Sequence, residues 1–239
     1  MKRILLISGL LNMLLIAAML FALQRLGGWR YALLKLQTDT AGLYHHRAQH
    51  FERLPERSGA VVFLGDSQTA QAEWHEMFQS GSVVLNRGIS GDYVAGTLGR
   101  LPEVLRHRPA KIFLLIGVND LVFGRQVADI ELVYRQIVQK IRSESPNTEL
   151  YLQSVLPVNN RTRRSGTDNE KVAALNARIA QVARDYALPF IDINTPLQDA
   201  DGNLAAKFSE DGLHLNGLGY GVWKKEVERW VGVGVQNAR

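Results

Sequence analysis

The sequence predicts an α/β protein: a parallel five-stranded sheet covered by helices on both faces, preceded by an N-terminal membrane helix. Three observations predict it. From Gly59 onward, short runs of Val, Ile, Leu and Phe alternate with longer amphipathic stretches, the rhythm of strands buried on both faces and joined by crossover helices. Ile4 to Leu23 is a run of 20 residues, of which 17 are apolar and none is charged. Hydrophobic residues make up 46% of the 239 and charged residues 21%, a balance that supplies a large core and excludes wholesale disorder.

The elements follow in order. A helix over the apolar run would be about 30 Å long, the thickness of a bilayer core. Lys2 and Arg3 precede it, and it exits through Phe21-Ala22-Leu23-Gln24-Arg25-Leu26 without a small-residue cleavage pair. Residues 1–23 therefore read as an uncleaved single-pass anchor, with secretion after signal cleavage as the alternative. The export-type start places the main domain outside the cytoplasm, in a periplasm or at a cell surface. Residues 24–58 form a partly helical connector: Trp29 and Tyr31 suit the membrane interface, and Pro55 with Ser58-Gly59 closes it.

The main domain spans 59–231. Strands are expected over Ala60–Leu64, Val83–Leu85, Ile112–Ile116, Glu149–Leu156 and Pro189–Ile193. Helices are expected from Ser67 through Phe78, over Thr97–His107, Asp129–Glu144, Asn169–Tyr186 and Leu218–Val231. The tail from Gly232 to Arg239 reads as frayed. In such a fold the functional groups gather beyond the carboxyl ends of the strands. That rim collects Gly65-Asp66-Ser67, the stretch 86–92, Gly117-Val118-Asn119-Asp120 and the loop 157–168.

Charge and cysteine usage exclude whole classes of function. The formal charge of +5 lies entirely upstream of Gly59, and the remaining 181 residues carry 20 basic and 20 acidic side chains. A neutral main domain does not suit a nucleic-acid polymer, whereas the basic N-terminal part suits a membrane surface. The absence of cysteine excludes disulfides, a thiol nucleophile and cysteine-ligated metals.

Ser67 lies between a buried strand and a helix, so its hydroxyl and amide can both face the rim. Asp211 and His214 are three residues apart, close enough for the carboxylate to orient an imidazole that takes the serine proton. The amides of Ser67 and Gly91 and the side chain of Asn119 offer three donors for a developing oxyanion. Taken singly, each has a plainer reading: Ser67 as a helix cap, Asp211 and His214 as a capping turn, Gly91 and Asn119 as turn residues. Asp66 and Asp120 read as structural hydrogen-bonding partners.

Together these segments carry a resemblance. Gly65-Asp66-Ser67, the glycine loop ending at Gly91, Gly117-Val118-Asn119-Asp120 and Asp211-Gly212-Leu213-His214 resemble, in order and spacing, the four blocks of the SGNH or GDSL-type hydrolases. The stretch 86–92 and Ser145-Pro146-Asn147-Thr148 resemble the subgroup of platelet-activating-factor acetylhydrolase small subunits and lysophospholipase-type esterases. The resemblance implies a three-layer α/β/α, flavodoxin-like domain and a serine esterase using neither metal nor cofactor. Ser67 would be the nucleophile, His214 the base and Asp211 its orienting acid, with Ser67, Gly91 and Asn119 forming the oxyanion hole. Leu215 departs from the proline that many members carry after the histidine, which alters loop stiffness without removing the base.

The substrate is read less directly. Arg161, Arg163 and Arg164 suit a phosphate head group or an acidic glycan, and equally a solvated loop. Asp92 and Tyr93 are further substrate-contact candidates, and Trp74, Tyr93, Leu121, Val122 and Phe123 are candidate walls of an acyl pocket. No rim insertion reaches the size of a lid, which points to short, acetyl-like acyl groups on a small-molecule, glycan or lipid ester. The alternatives are a lysophospholipase or thioesterase acting on longer chains, and a catalytically silent, membrane-anchored module binding a glycan or protein.

Overall fold

The computed structural model of the protein describes residues 8–9, 11–18, 21, 40–78, 81–162 and 165–232. The chain divides into two compact units, Met1–His45 and His46–Arg239. In the first unit, residues 8–9, 11–18 and 21 are helical and exposed. Much of the expected span from Ile4 to Leu23 lies outside the described residues. Among those described, no helix is long and apolar enough to cross a membrane.

The larger unit holds a five-stranded parallel sheet: β1 (Val61–Gly65), β2 (Val84–Gly88), β3 (Lys111–Leu115), β4 (Glu149–Gln153) and β5 (Phe190–Ile191), in spatial order β2-β1-β3-β4-β5. The chain turns to one side of β1 to form β2 and to the other to form β3. The carboxyl end of β1 is thus the switch point where this sheet class places its site. From Thr40 onward the described α-helices are α1 (Thr40–Arg53), α2 (Ser67–Ala70), α3 (Trp74–Met77), α4 (Val94–Gly99), α5 (Leu101–Leu105), α6 (Val118–Val122), α7 (Val127–Glu144), α8 (Asn169–Asp185) and α9 (Gly217–Val231).

Strand alternation builds two cores. Val62, Leu64, Ile112, Leu114, Leu150 and Leu152 face α4, α5, α7 and α8. Val61, Phe63, Phe113, Leu115 and Tyr151 face Trp74 and the Tyr220, Trp223 and Val227 side of α9. In the second core the register sets Phe63 beside Phe113, and Phe113 beside Tyr151. Their rings stack at 4.9 and 4.6 Å, and Trp74 covers Phe63 at 4.0 Å. Such contacts add roughly 0.5–1.5 kcal/mol per pair to the burial itself. Trp74 is fully buried, so it belongs to this stack and not to an acyl pocket.

Several boundaries differ from the sequence reading. The expected helix after Ser67 is two four-residue pieces, and the Trp74 indole N–H donates to Thr69 O at 2.8 Å in the break between them. The expected Thr97–His107 helix starts earlier and breaks at Arg100. Pro102 sits in the first turn of α5, where it has no N–H to continue the ladder. Strand β2 runs on through Asn86 and Arg87. Asn86 donates to Ala70 O and Ala72 O at 3.1 and 2.9 Å, and Arg87 pairs with Glu103 at 3.1 Å. Polar residues can end a core strand as long as partners wait for them. Strands β4 and β5 stop short of their expected ends, at Gln153 and Ile191.

One glycine seats the serine-bearing helix. A Cβ on Gly88 would lie 2.2 Å from Ala70 N and 2.5 Å from Ala70 Cα. Both atoms are backbone, so no rotamer change relieves the clash. Gly88→Ala is expected to cost about 3 kcal/mol or more, read as a lowered urea midpoint with an unchanged slope.

Candidate active site

Ser67 is the first residue of α2 and is 8% exposed. Asp66 caps the helix, its Oδ1 accepting from Gln68 N at 3.0 Å. Being the first helical residue, Ser67 has an N–H without an intrahelical acceptor. Its hydroxyl faces the loop before α9, where it donates to His214 Nε2 at 3.0 Å. The ring's other nitrogen, Nδ1, lies 2.8 Å from Asp211 Oδ2. A serine and an imidazole 147 residues apart thus meet at the switch point, with a carboxylate behind them.

The local geometry explains why Asp211 holds its place. Its Oδ1 accepts from the amides of Leu213 and His214 at 2.9 and 2.8 Å, a tight turn that leaves Oδ2 for the ring. Burial pushes this carboxyl up, but the hydrogen bonds from the His214 ring and the two amides outweigh it and hold it at about 2. It is therefore ionised throughout the neutral range. Gly212 O accepts from Asn159 N at 2.8 Å, anchoring the histidine loop to the segment after β4.

The other two oxyanion candidates sit in the turn after β2 and in the first turn of α6. Ile89 to Asp92 form a turn closed by Asp92 N donating to Ile89 O at 3.1 Å. Gly91 occupies its third position at φ 78°, a conformation that favours glycine. Gly91 is exposed, and among the described residues no acceptor takes its N–H. Asn119, in α6, donates through Nδ2 to Asp92 O at 2.8 Å. That bond uses one amide hydrogen, fixes the plane of the group and leaves the second hydrogen to donate elsewhere.

Beneath these loops lies a buried acidic cluster. Asp92 is fully enclosed, its Oδ2 taking Arg100 Nε at 2.8 Å and Thr97 Oγ1 at 3.0 Å. This corrects its reading as a substrate contact: the carboxylate supports the Gly91 loop from below and faces no solvent. Arg100 also donates to Gly65 O at 2.9 Å, tying that loop to the end of β1. Asp120 accepts from Val94 N at 3.0 Å and from Arg125 at 2.6 Å. Burial raises the pKa of all three acids, opposed at Asp92 by Arg100 and at Asp120 by Arg125. Asp66 has no such cation. Burial, with the charges of Asp92 and Asp120 adding to it, pushes it up to about 7, and among the described residues its Oδ2 has no hydrogen-bond partner.

The remaining substrate candidates scatter. Tyr93 is half-buried, with the Arg125 guanidinium 4.1 Å over its ring. Leu121 is core, whereas Phe123 is 66% exposed. Arg161 is exposed and pairs with Asp201 at 2.9 Å. Arg163 and Arg164 lie outside the described residues. Sequence reasoning missed Gln68, Arg100 and Tyr220. The only signal for Gln68 was its place beside Ser67, and Arg100 and Tyr220 had none.

The sequence profile of the GDSL-like Lipase/Acylhydrolase family matches residues 63–222. The chain belongs to this family. It is a family of carboxylic ester hydrolases, and the match contains the serine, the glycine loop, Asn119 and the Asp211–His214 pair. The chain is 30% identical over 167 residues to Thioesterase 1/protease 1/lysophospholipase L1 of Escherichia coli strain K12, covering 65% of this chain and 75% of that one. It is 33% identical over 117 residues to an N-acylneuraminate cytidylyltransferase of Escherichia coli O18:K1:H7, covering 48% of this chain but only 27% of that relative. A solved structure from Streptococcus pneumonia, described as a platelet activating factor, superposes with a TM-score of 0.76 at 27% identity. The superposition covers 84% of this chain and 98% of that one.

Proposed function

We propose that this protein hydrolyses carboxylic esters of short, acetyl-like acyl groups through an acyl-enzyme on Ser67. One observation carries the reading: the continuous chain from Ser67 Oγ to His214 Nε2 at 3.0 Å, and from His214 Nδ1 to Asp211 at 2.8 Å. In this reading His214 takes the hydroxyl proton as Oγ attacks the ester carbonyl. Asp211, ionised at neutral pH, accepts the Nδ1 hydrogen and stabilises the imidazolium. The amides of Ser67 and Gly91 and the second amide hydrogen of Asn119 receive the oxyanion. The alcohol leaves with the proton from His214, and water activated by the same ring releases the acid.

Short acyl groups are favoured by the surroundings. The hollow against His214 has a volume of about 270 Å³ and is lined by Gln71, Glu210, Asp211, His214, Leu215 and Asn216. It is open and too small for a long acyl chain. A second reading, longer chains laid over the surface, draws on Phe123, in the turn after α6, and Leu218, in the first turn of α9, each 66% exposed.

Hydrolysis of p-nitrophenyl acetate, butyrate, octanoate and palmitate separates the two readings. The expected result is highest kcat/KM on acetate or butyrate, falling about tenfold or more by octanoate. A maximum at octanoate or palmitate sinks the short-acyl reading and favours the second.

Tethering completes the proposal. The uncharged run from Ile4 to Leu23 and the basic excess upstream of Gly59 support a membrane-held hydrolase, and the export-type start, Lys2-Arg3 before the apolar run, favours a domain outside the cytoplasm. Retention in the membrane pellet after alkaline carbonate washing is expected, and release into the wash argues against the anchor.

A further inference from the structure

The family takes its name from a Gly-Asp-Ser-Leu tetrapeptide, and this chain reads Gly65-Asp66-Ser67-Gln68. The substituted position is not idle. Gln68 is 2% exposed, and its Nε2 donates to Leu213 O, the carbonyl immediately before His214. Its backbone N–H donates to Asp66 Oδ1 at 3.0 Å, and its carbonyl accepts from Tyr220 Oη at 2.8 Å. One residue therefore joins the serine-bearing helix to the histidine loop through its side chain, and to α9 through its backbone. A leucine side chain could fill the space but could not make the first of these bonds.

We infer that Gln68 is a positioning residue that sets the Ser67–His214 separation by fastening the histidine loop to the serine helix. The inference rests on the reading of Ser67 and His214 as nucleophile and base. The remaining atom of the amide argues for function over stability. Gln68 Oε1 is buried without a hydrogen-bond partner among the described residues, and an orphaned buried acceptor is a net cost to folding. Leucine has nearly the same volume and no such atom. A residue kept only for packing would be better as leucine, so its hydrogen bond to Leu213 O is the feature that needs glutamine.

The test compares the full chain with Gln68→Leu, Gln68→Met and Ser67→Ala. It uses p-nitrophenyl acetate turnover, the rate of covalent capture by an alkyl fluorophosphonate, and thermal melting. Gln68→Leu is expected to melt at or above the wild-type temperature. Its kcat should fall roughly tenfold to a hundredfold, since small misplacements of reacting groups cost about that much. KM should stay within twofold, and fluorophosphonate capture should slow in proportion to kcat. Gln68→Met should behave alike. A Gln68→Leu enzyme with kcat within twofold of wild type overturns the inference. So does a fall in melting temperature that tracks the loss of activity, or failure of both variants to fold, because either marks a structural role. Wild-type protein that escapes labelling, or a Ser67→Ala protein that still hydrolyses the ester, removes the underlying reading. Labelling lost in Ser67→Ala but unchanged in Gln68→Leu removes this inference alone.

Discussion

Ser67→Ala is expected to lower kcat for p-nitrophenyl acetate by on the order of 10⁴-fold or more, with thermal stability close to wild type. His214→Ala is expected to cost about as much, and the double variant no more than either single change. The reason is that in the proposed reaction the two groups act as one device. Ser67 Oγ and His214 Nε2 share a hydrogen bond of 3.0 Å, and neither has a use in acyl transfer without the other. A base with no hydroxyl to deprotonate contributes nothing, and a neutral hydroxyl without its base is a poor nucleophile. Donors for the oxyanion persist in every variant, which sets the residual rate above that of water. Losses that multiply in the double variant would mean that serine and histidine act in separate steps, and the acyl-enzyme reading would fail.

The second large effect concerns stability and pH. Asp66 is buried, pushed up to about 7 from an ordinary 3.8, and holds its proton in the folded state over a range where the unfolded chain has released it. Between roughly pH 4 and pH 7 the native state therefore binds more protons, so stability falls as pH rises through that window. The contribution of this one group is on the order of 4 kcal/mol, fully present below pH 4 and lost above pH 7. Asp211 runs the other way. It is held at about 2, so its contribution is present above pH 4 and lost as pH falls towards 2. Asp66→Asn keeps the oxygen that accepts from Gln68 N and removes the titration. Urea unfolding at intervals from pH 4.5 to 8.5 should give a stability that declines in wild type and declines much less in Asp66→Asn. Parallel curves would show that Asp66 is ionised in the native state, with its charge screened by the cluster around it.

The same cluster links stability to the site. Asp66 caps the helix that opens with Ser67, Asp92 supports the Gly91 turn, and Asp120 follows Asn119 and receives Val94 N. Three acids under one rim repel each other, and Arg100 and Arg125 offset two of them. Ordering the loops costs stability at Asp66, and the pH titration of Asp66→Asn measures that cost directly.

What the sequence determined by itself was everything set by local pattern. Alternating apolar runs located all five strands, and 3.6-residue periodicity located α7, α8 and α9 within a few residues. Position after a buried strand placed Ser67 on the rim, the three-residue spacing left Asp211 and His214 open between a pair and a capping turn, and only the resemblance of the ordered segments to the hydrolase blocks implied their roles. These are short-range properties, legible because strand and helix periods are written into the side-chain order. The tertiary structure alone decided what depends on a partner far along the chain. Asn86 and Arg87 extend β2 only because Ala70, Ala72 and Glu103 meet them. Asp92 left the substrate-contact candidates because Arg100 encloses it, and Trp74 left the acyl pocket because Phe63 stacks beneath it. Gln68 became a link between two loops only when the fold set Leu213, 145 residues away, against its amide. A buried polar side chain takes its role from whichever group satisfies it, and composition and spacing do not encode which distant group that will be.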